Sequence, residues 1–194
     1  MSDTKNKDAI PGQLDTLKRF LNTVDLDGGS DELDSPQALG RWLADVGLLD
    51  PASEVSRYDA ARAVEVREAF RDVIFANTCH TEPDAAALAT LSAAGSAARY
   101  RVSFHPHEGP QLEACAEGVE GALARLVAIM AQAMLDGSWG RFKACRRDGC
   151  RWAFFDWTKN QSGVWCSMAA CGNREKARRY QARKRAGGSG STTV

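Results

Sequence analysis

Four cysteines near the C-terminal end of the 194-residue chain constrain its fold more than any other feature. They form two matched pairs, Cys145 with Cys150 and Cys166 with Cys171, and fifteen residues separate the pairs. Four thiolates suit a tetrahedral zinc ion at about 2.3 Å per Zn–S contact, and a loop of four residues can bring two sulfurs to one ion. The spacing therefore predicts a structural Zn²⁺ site, and two disulfides or four free thiols are the alternatives.

The segment between the cysteine pairs predicts a β-hairpin. Residues 151–157 have the aromatic density of a strand, residues 158–163 are a polar turn, and residues 164–165 begin the return strand. A module of this size needs apolar burial to fold, and we therefore expect most of its aromatic side chains to pack around the metal. The alternative is that these side chains stack on nucleic-acid bases. The aromatic residues are Trp152, Phe154, Phe155, Trp157 and Trp165.

A strongly basic segment follows the last cysteine. Asn173 is a suitable N-cap, the residues after it favour a helix, and Ala177 and Tyr180 form its expected packing face. Such a helix can enter the major groove of DNA, with its flanks on phosphates and Arg or Gln on base edges. The candidate nucleic-acid contacts are Arg174, Lys176, Arg178, Arg179, Gln181, Arg183, Lys184 and Arg185.

Charge is divided unevenly along the chain, although the net charge is zero. Residues 141–185 hold 13 Lys or Arg against 3 Asp or Glu, a net charge of +10, so the other residues carry −10. The asymmetry indicates a polyanionic partner for the basic segment. The alternative is that the two parts dock and neutralise each other.

The first 137 residues predict a mostly helical domain with one small β-hairpin. The alternating stretch 99–105 is typical of a strand, which can pair with residues 111–115 across a turn at 107–109. Residues 25–34 are expected to form a loop. The predicted helices are 12–24, one beginning at Ser35-Pro36 and ending at Gly47, 54–77, one beginning near Pro83, and 119–135.

The C-terminal sequence WCSMAACGNREKARRYQARKR resembles the signature of the CGNR zinc-finger family. The four letters of that name match Cys171, Gly172, Asn173 and Arg174, and the upstream cysteine pair and aromatic hairpin also match. The resemblance implies zinc on the four cysteines and DNA binding.

The N-terminal part resembles the ABATE-type domain that usually precedes this finger. The residues that carry this looser resemblance are 20–23, Phe-Leu-Asn-Thr, followed by the helix around Trp42 and Leu43. The pairing of the two domains implies a stress-induced transcription regulator.

Other reactive side chains have ordinary explanations. His105 and His107 flank a proline at the end of the predicted strand, and without a third ligand nearby we expect exposed hairpin histidines. Cys79 and Cys115 lie in or beside apolar segments, which predicts buried inert thiols. The sequence contains no metalloprotease, nucleophile-elbow, phosphate-loop or dinucleotide motif, so we expect no enzymatic activity.

These features together predict a mainly α protein. A helical domain with one small β-hairpin precedes a small treble-clef-like zinc finger, which consists of a β-hairpin and a basic helix. Within the sequence no secretory signal and no run of 18 apolar residues is found, which predicts a cytoplasmic protein without membrane contact. The predicted boundaries are 1–10 (disordered), 11–137 (ABATE-like domain), 141–185 (zinc finger) and 186–194 (disordered).

The predicted function is a zinc-dependent, DNA-binding transcription regulator that is nucleoid-associated when bound to DNA. Its finger contacts the DNA, and its helical domain senses a small-molecule effector or mediates homodimerisation. One alternative is an RNA- or protein-binding zinc module. The other is a small-molecule enzyme in which the zinc is only structural.

Overall fold

The computed structural model describes residues 10–11, 13–106 and 109–187, so most of the two ends predicted to be disordered lies outside the described residues. The predicted fold class is confirmed: five helices and small hairpins precede a compact cysteine cluster and a basic helix. The elements are α1 (Leu14–Leu21), β1 (Val24–Asp25), β2 (Ser30–Asp31), α2 (Pro36–Asp45), α3 (Arg57–Cys79), α4 (Ala85–Ser96), β3 (Tyr100–His105), β4 (Gly109–Ala114), α5 (Gly118–Leu135), a 3₁₀ turn (Trp139–Arg141), β5 (Phe142–Ala144), β6 (Ala153–Phe155), a π-turn (Met168–Gly172) and α6 (Asn173–Gly187).

Local capping signals set the ends of α2. The Ser35 side chain accepts a hydrogen bond from the Ala38 amide at 3.2 Å, and Pro36 occupies the first turn. Gly47 follows the helix with φ of 72°, and the amides of Gly47 and Leu48 bond back to Ala44 and Leu43. This Schellman arrangement is the reason why the helix stops where the glycine predicts.

Helix α3 is the longest element and lies at the centre of the helical core. Its start is fixed by a capping box between Ser56 and Asp59. Phe70 and Ile74 on α3 are fully buried, together with Phe20 from α1 and Leu123 from α5. Burial of such side chains contributes about 1.5–3 kcal/mol each, so this shared core is the main source of stability.

Among the described residues, α5 alone is long and apolar enough to cross a membrane, judged by length and composition. Half of that helix is buried inside the protein. Its buried residues include Val119, Leu126 and Ile129, which belong to the same core cluster as α1 and α3. A core helix passes the same test as a membrane span, and α5 packs as a core helix here.

A second small hairpin lies where the sequence predicts a loop. Helix α1 ends at Leu21, three residues before the predicted end, and the chain turns directly into β1. Strands β1 and β2 are antiparallel, with Val24 opposite Asp31. The turn between them is closed by Asp25, whose side chain accepts from the amides of Asp27 and Gly28 at 3.0 Å each. This Asx-type turn presents Asp27 at its tip.

The hairpin predicted within the zinc finger pairs with a different strand. Strand β6 forms as predicted, but its antiparallel partner is β5, before the first cysteine, and not residues 164–165. Phe142 lies opposite Phe155, and both are buried in the core that the helices build. The prediction of the return strand is wrong because β5, which packs on α3 and carries buried apolar residues, is the strand that pairs with β6; β6 itself contacts α1.

Side chains of the helical domain complete the hydrogen bonding of the finger strands. The Asn22 side chain donates to the Ala153 carbonyl at 3.1 Å and accepts from the Ala153 amide at 2.7 Å, as a neighbouring strand would. Thr78 bonds to both backbone groups of Ala144. Buried backbone groups need such partners, so the strands of the finger depend on α1 and α3.

Candidate metal centre and nucleic-acid interface

The four predicted cysteines meet at one point. Their sulfur atoms all lie within 4.8 Å of one another, and the Cys150–Cys166 and Cys166–Cys171 pairs are 3.6 and 3.7 Å apart. A tetrahedron with Zn–S bonds of about 2.3 Å has S···S edges of about 3.8 Å, whereas a disulfide bond is about 2.05 Å long. The geometry fits a structural zinc site, and each of these cysteines is a free thiol without a disulfide partner.

The electrostatics of the cluster fit a bound cation. Because the Cys150 thiol donates to it, the pKa of Cys145 is lowered to about 3. The same cluster raises the pKa of Cys166, since this thiol is held as a donor to Cys145. Four thiolates this close repel one another strongly, so a dication must balance them for all four to bind as ligands. With four sulfur ligands the zinc has no open position, so its role is structural.

The first cysteine pair lies on a tight turn between β5 and β6. The Cys145 amide bonds to the Trp152 carbonyl at 2.8 Å, and the Cys150 amide bonds to the Arg147 carbonyl at 2.9 Å. Arg151 closes the turn with φ of 53°, and its carbonyl accepts from the Arg71 guanidinium at 2.8 Å. This closure directs both sulfurs to the same side.

The second cysteine pair lies at the start of the basic helix. The helix begins earlier than predicted, with a π-turn whose N-cap is Ser167; its side chain accepts from the Ala170 amide at 3.3 Å. Asn173 is therefore not the N-cap, because it already has helical φ and ψ of −70° and −39°. The extra turn places Cys171 on the helix itself, so the metal fixes the first residues of α6.

Arg147 supports the metal centre from outside the ligand set. Its Nε donates to the sulfur of Cys171 at 3.3 Å, and its two terminal nitrogens contact the Asp27 carboxylate at 2.9 and 2.5 Å. These two anions raise the pKa of Arg147, Asp27 having the larger effect. A cation that holds a ligating sulfur orients it and offsets part of the thiolate charge.

A buried ion pair organises the long loop between the cysteine pairs. Lys143 is fully buried, and its ammonium donates to the Asp156 carboxylate at 2.8 Å and to the Gly163 carbonyl at 3.2 Å. It also donates to the carbonyl of Gln161. This bonding, with three backbone or side-chain acceptors around one ammonium, keeps residues 158–163 folded over the finger.

The aromatic residues of the finger differ in burial, and Phe154 is half-buried. Phe155 packs in the main core, and its ring lies 4.5 Å from that of Trp157. Trp165 packs against the cysteine cluster, as predicted for a residue of the metal core. Trp152 and Trp157 are 41 % and 49 % exposed, so the expectation that most of the aromatic side chains are packed does not extend to these two.

The candidate nucleic-acid contacts on α6 lie in solvent. From Lys176 to Arg185 every side chain is exposed, and Arg174 is exposed as well. The predicted packing face is wrong: Ala177 is exposed, and the ring of Tyr180 is 69 % exposed. No packing face is needed, because the zinc cluster and the π-turn already fix the start of the helix.

Glu175 is the one acidic side chain within the basic helix, and it is buried. Its carboxylate accepts from Arg178 at 2.7 and 2.8 Å and from Arg179 at 3.0 Å, and Arg178 lowers the pKa of Glu175 to about 2. These bonds hold two arginines near the helix start. Lys176 is exposed beside them, and Arg183 and Lys184 lie further along the helix.

Docking neutralises only part of the basic segment. Asp27 pairs with Arg147 and Arg174 across the boundary between helical domain and finger. Arg174 still has 66 % of its side chain exposed. Most of the basic side chains of α6 therefore remain exposed, and the described part of the acidic domain neutralises the basic segment only in part.

Two other predictions have different outcomes. Cys115 is exposed and Cys79 is half-buried, so the prediction of buried thiols is wrong for Cys115, which lies just past the end of β4. His107 lies outside the described residues, and the prediction about the histidine pair stays a prediction.

Four residues that support the finger were not predicted from the sequence: Asp27, Lys143, Arg147 and Asp156. Arg147 carried a local signal, since a basic residue within a cysteine turn can reach a ligating sulfur. Asp27 carried none, because its partners lie 120 and 147 residues further along the chain.

Comparisons with known proteins agree with this organisation. A family profile named ABATE, described as "Putative stress-induced transcription regulator", matches residues 16–137. The profile of the CGNR zinc finger matches residues 141–184. Both resemblances and their order are thus confirmed. No curated protein matches the chain.

Proposed function

Because the chain belongs to the ABATE family and carries a CGNR zinc finger, we propose that it is a zinc-dependent transcription regulator that binds DNA through α6. The family description supports a regulator, and the chemistry of α6 supports a polyanionic partner. Zinc supplies the crosslink between the two cysteine pairs, and the chain's own residues supply the contact surface.

The exposure of α6 is the observation that carries this proposal. The helix holds seven basic residues, and its side chains from Lys176 to Arg185 are exposed on every side. A helix that buries no apolar face gains little from its own protein, so its residues are available to a partner. A major groove surrounds an inserted helix with phosphates on both flanks, which suits basic side chains all round.

The test is binding of a fluorescently labelled 20-bp duplex to zinc-loaded protein, measured by anisotropy between 50 and 300 mM salt. We expect binding at low salt that weakens steeply as salt rises, because phosphate contacts release counterions. The variant Arg183→Gln/Lys184→Gln should bind at least about tenfold more weakly at 50 mM salt, with a salt slope smaller by about 2.

The matched control is Arg41→Gln/Arg57→Gln, which removes the same charge from exposed positions on the helical domain. It should change the affinity by less than about twofold, since charges beyond a Debye length of about 10 Å are screened. No binding at low salt, or equal losses in the two variants, would refute the proposal.

The helical domain offers a cleft for a small-molecule effector. Its volume is about 1100 Å³, and it lies between the start of α1, residues 46–48, β4 and α5. Polar side chains at its wall, including Gln13, Gln132 and Arg125, are mixed with Leu14 and Ile129. This mixture supports an effector with both polar and apolar parts. Thermal shift assays across a metabolite library would test it, and the absence of any stabilising compound would count against it.

Homodimerisation is supported by the β3–β4 hairpin. Val102 and Phe104 lie on one face of β3 and are 55 % and 80 % exposed. Apolar side chains of this kind mark association surfaces. Light scattering should give a dimer mass for the wild type and a monomer mass for Phe104→Ser; a monomeric wild type would contradict this role.

A second candidate function is binding of single-stranded RNA. The exposed Trp152 and Trp157 favour it, because exposed aromatic rings stack on unpaired bases. Competition among duplex DNA, single-stranded DNA and RNA separates the candidates. If RNA displaces duplex DNA at lower concentration and quenches the fluorescence of these tryptophans, RNA is the partner.

We also propose that the protein is cytoplasmic and has no enzymatic activity. Membership of a family described as transcription regulators supports a location in the compartment that contains the DNA. The four-sulfur metal centre has no position for a substrate, which supports a structural and not a catalytic zinc. Turnover of any compound that binds the cleft would contradict this proposal.

A further inference from the structure

Asp27 is the point at which the acidic domain contacts the basic helix. Its carboxylate receives two hydrogen bonds from Arg147, at 2.9 and 2.5 Å, and one from Arg174 at 3.0 Å. Both guanidinium groups belong to the finger, and Arg174 lies in the first turn of α6. Two arginines thus converge on one small anion at the base of the proposed DNA-binding helix.

The β1–β2 hairpin fixes the position of the Asp27 carboxylate. The turn is closed by Asp25, whose oxygen accepts from the Asp27 amide itself. On the finger side, a Cβ at Gly149 would lie only 3.0 Å from the Asp27 carboxylate and 3.4 Å from the Arg147 guanidinium. The lack of a side chain at Gly149 therefore allows the close approach of the two parts.

The two arginines differ in how firmly they are held. Arg147 is 19 % exposed, grips Asp27 with two nitrogens and also contacts the sulfur of Cys171. Arg174 is 66 % exposed and shares only one nitrogen with Asp27. An exposed pair of this kind is weak and is readily exchanged for another anion. Arg147 is therefore fixed, and Arg174 is the exchangeable member.

Phosphate is the anion that this pair of arginines fits. A planar guanidinium binds carboxylate and phosphate oxygens in the same forked geometry, so a carboxylate can occupy a phosphate site. Asp27 is ionised, since the Arg147 guanidinium lowers the pKa of its carboxyl. The backbone of a nucleic acid that lies along α6 carries phosphates to the same place.

We propose that Arg147 and Arg174 form a phosphate site that Asp27 of the β1–β2 hairpin fills in the free protein, so that Asp27 competes with the phosphate backbone. This inference rests on the proposed function. A change of the hairpin that withdraws Asp27 would strengthen binding, which gives the helical domain control over the finger. Orientation of α6 does not require Asp27, because Cys171 and the π-turn already fix the helix start.

The experiment compares Asp27→Asn with Asp148→Asn in the duplex-binding assay. Asp148 follows Arg147 in the turn that holds the first cysteine pair, is almost fully exposed and pairs with Arg151, so it controls for removal of one negative charge. We expect Asp27→Asn to bind about three- to tenfold tighter with a salt slope steeper by about 1, and Asp148→Asn to change binding by less than about twofold.

A double-mutant cycle then tests whether the effect passes through Arg174. In the background of Arg174→Gln, the substitution Asp27→Asn should give a clearly smaller gain in affinity, because only Arg147 of the pair remains to bind phosphate. A gain that is undiminished in this background, or a gain no larger than that of Asp148→Asn, would overturn the proposal. Zinc content and thermal midpoints of all variants verify that the compared proteins are folded.

A second measurement keeps this inference separate from DNA binding itself. Inorganic phosphate is titrated into ¹⁵N-labelled protein while the side-chain Nε–H resonance of Arg174 is followed by NMR. The resonance should shift at severalfold lower phosphate concentration in Asp27→Asn than in the wild type. If no variant binds DNA but this difference appears, the proposed function fails and the phosphate site stands. Equal titrations would overturn the site.

Discussion

The finger consists of two parts with opposite environments. The first, which we call the finger base, comprises residues 142–156 and is continuous with the helical core: Phe142, Lys143 and Ala144 are fully buried. The second is α6, whose described side chains are all exposed after Glu175. One short module thus contains both a part that is buried in the protein core and a helix whose side chains are exposed to solvent.

The difference shows how zinc is used in this protein. The base already packs on α3 and is hydrogen-bonded by side chains of the helical domain. The metal instead joins this base to the π-turn, and so gives α6 a fixed origin without a packing face. A short helix is only marginally stable alone in water, so an anchored start matters more for α6 than for a buried helix. The comparison predicts that substitutions in the finger base lower the free energy of unfolding strongly, whereas substitutions on α6 change it little.

Loss of the metal should give the largest effect. Cys145→Ser removes a ligand, and the uncompensated thiolates and the lost crosslink should reduce the free energy of unfolding by about 5 kcal/mol or more. Chemical denaturation followed by tryptophan fluorescence measures it, and loss of the charge-transfer band of the Co²⁺-substituted protein reports the site. Cys115→Ser, an exposed thiol outside the cluster, is the control; similar losses in both would show that the cluster holds no metal.

Lys143→Met should be nearly as severe. The substitution leaves the buried Asp156 carboxylate and two loop carbonyls without their cation, at a cost of about 3–5 kcal/mol. Urea denaturation measures the change. The exposed Lys159→Met in the same loop should change stability by less than about 0.5 kcal/mol. A loss below about 1 kcal/mol for Lys143→Met would mean that the loop does not depend on this ion pair.

An intermediate effect is expected where the helical domain completes the finger strand. Asn22→Ala leaves the amide and carbonyl of Ala153 unpaired, which should cost about 1–3 kcal/mol. Asn160→Ala, at an exposed loop position, is the matched control. If both variants have the urea midpoint of the wild type, the hydrogen bonds from Asn22 do not stabilise the finger base.

The smallest effect is expected on α6. Tyr180→Ala should change stability by less than about 0.5 kcal/mol, because the ring is 69 % exposed. Phe142→Ala, in the base, should cost about 3–5 kcal/mol for an aromatic ring lost from the core. Comparable losses of stability in the two variants would contradict the difference between the two parts, since Tyr180 would then pack against the protein.

Local signals predicted much of this structure. The N-cap at Ser35, the stop at Gly47 and the helical periodicity of α3 and α5 act within a few residues, and each gave an element close to its observed position. The cysteine spacing predicted the metal site for the same reason, because a tetrahedral ion imposes short-range geometry.

Contacts between residues far apart in the chain could not be predicted from the sequence. Strand β6 pairs with β5 and not with residues 164–165, and β5 is held by α3, a helix more than 60 residues earlier in the chain. The prediction of an N-cap at Asn173 is wrong because a π-turn capped by Ser167 extends the helix backwards, and helix propensities do not indicate such a turn. The contact of Asp27 with Arg147 joins residues 120 positions apart and has no local pattern.

Hydrogen exchange with and without duplex DNA tests the central claim most directly. In the free protein, amides of β5, β6 and α3 should exchange together near the global unfolding rate, and amides of α6 after Glu175 should exchange fast. Addition of DNA should protect α6 and leave the helical core unchanged. Protection that appears on another face of the protein, or an α6 that exchanges equally fast with saturating DNA, would contradict the account.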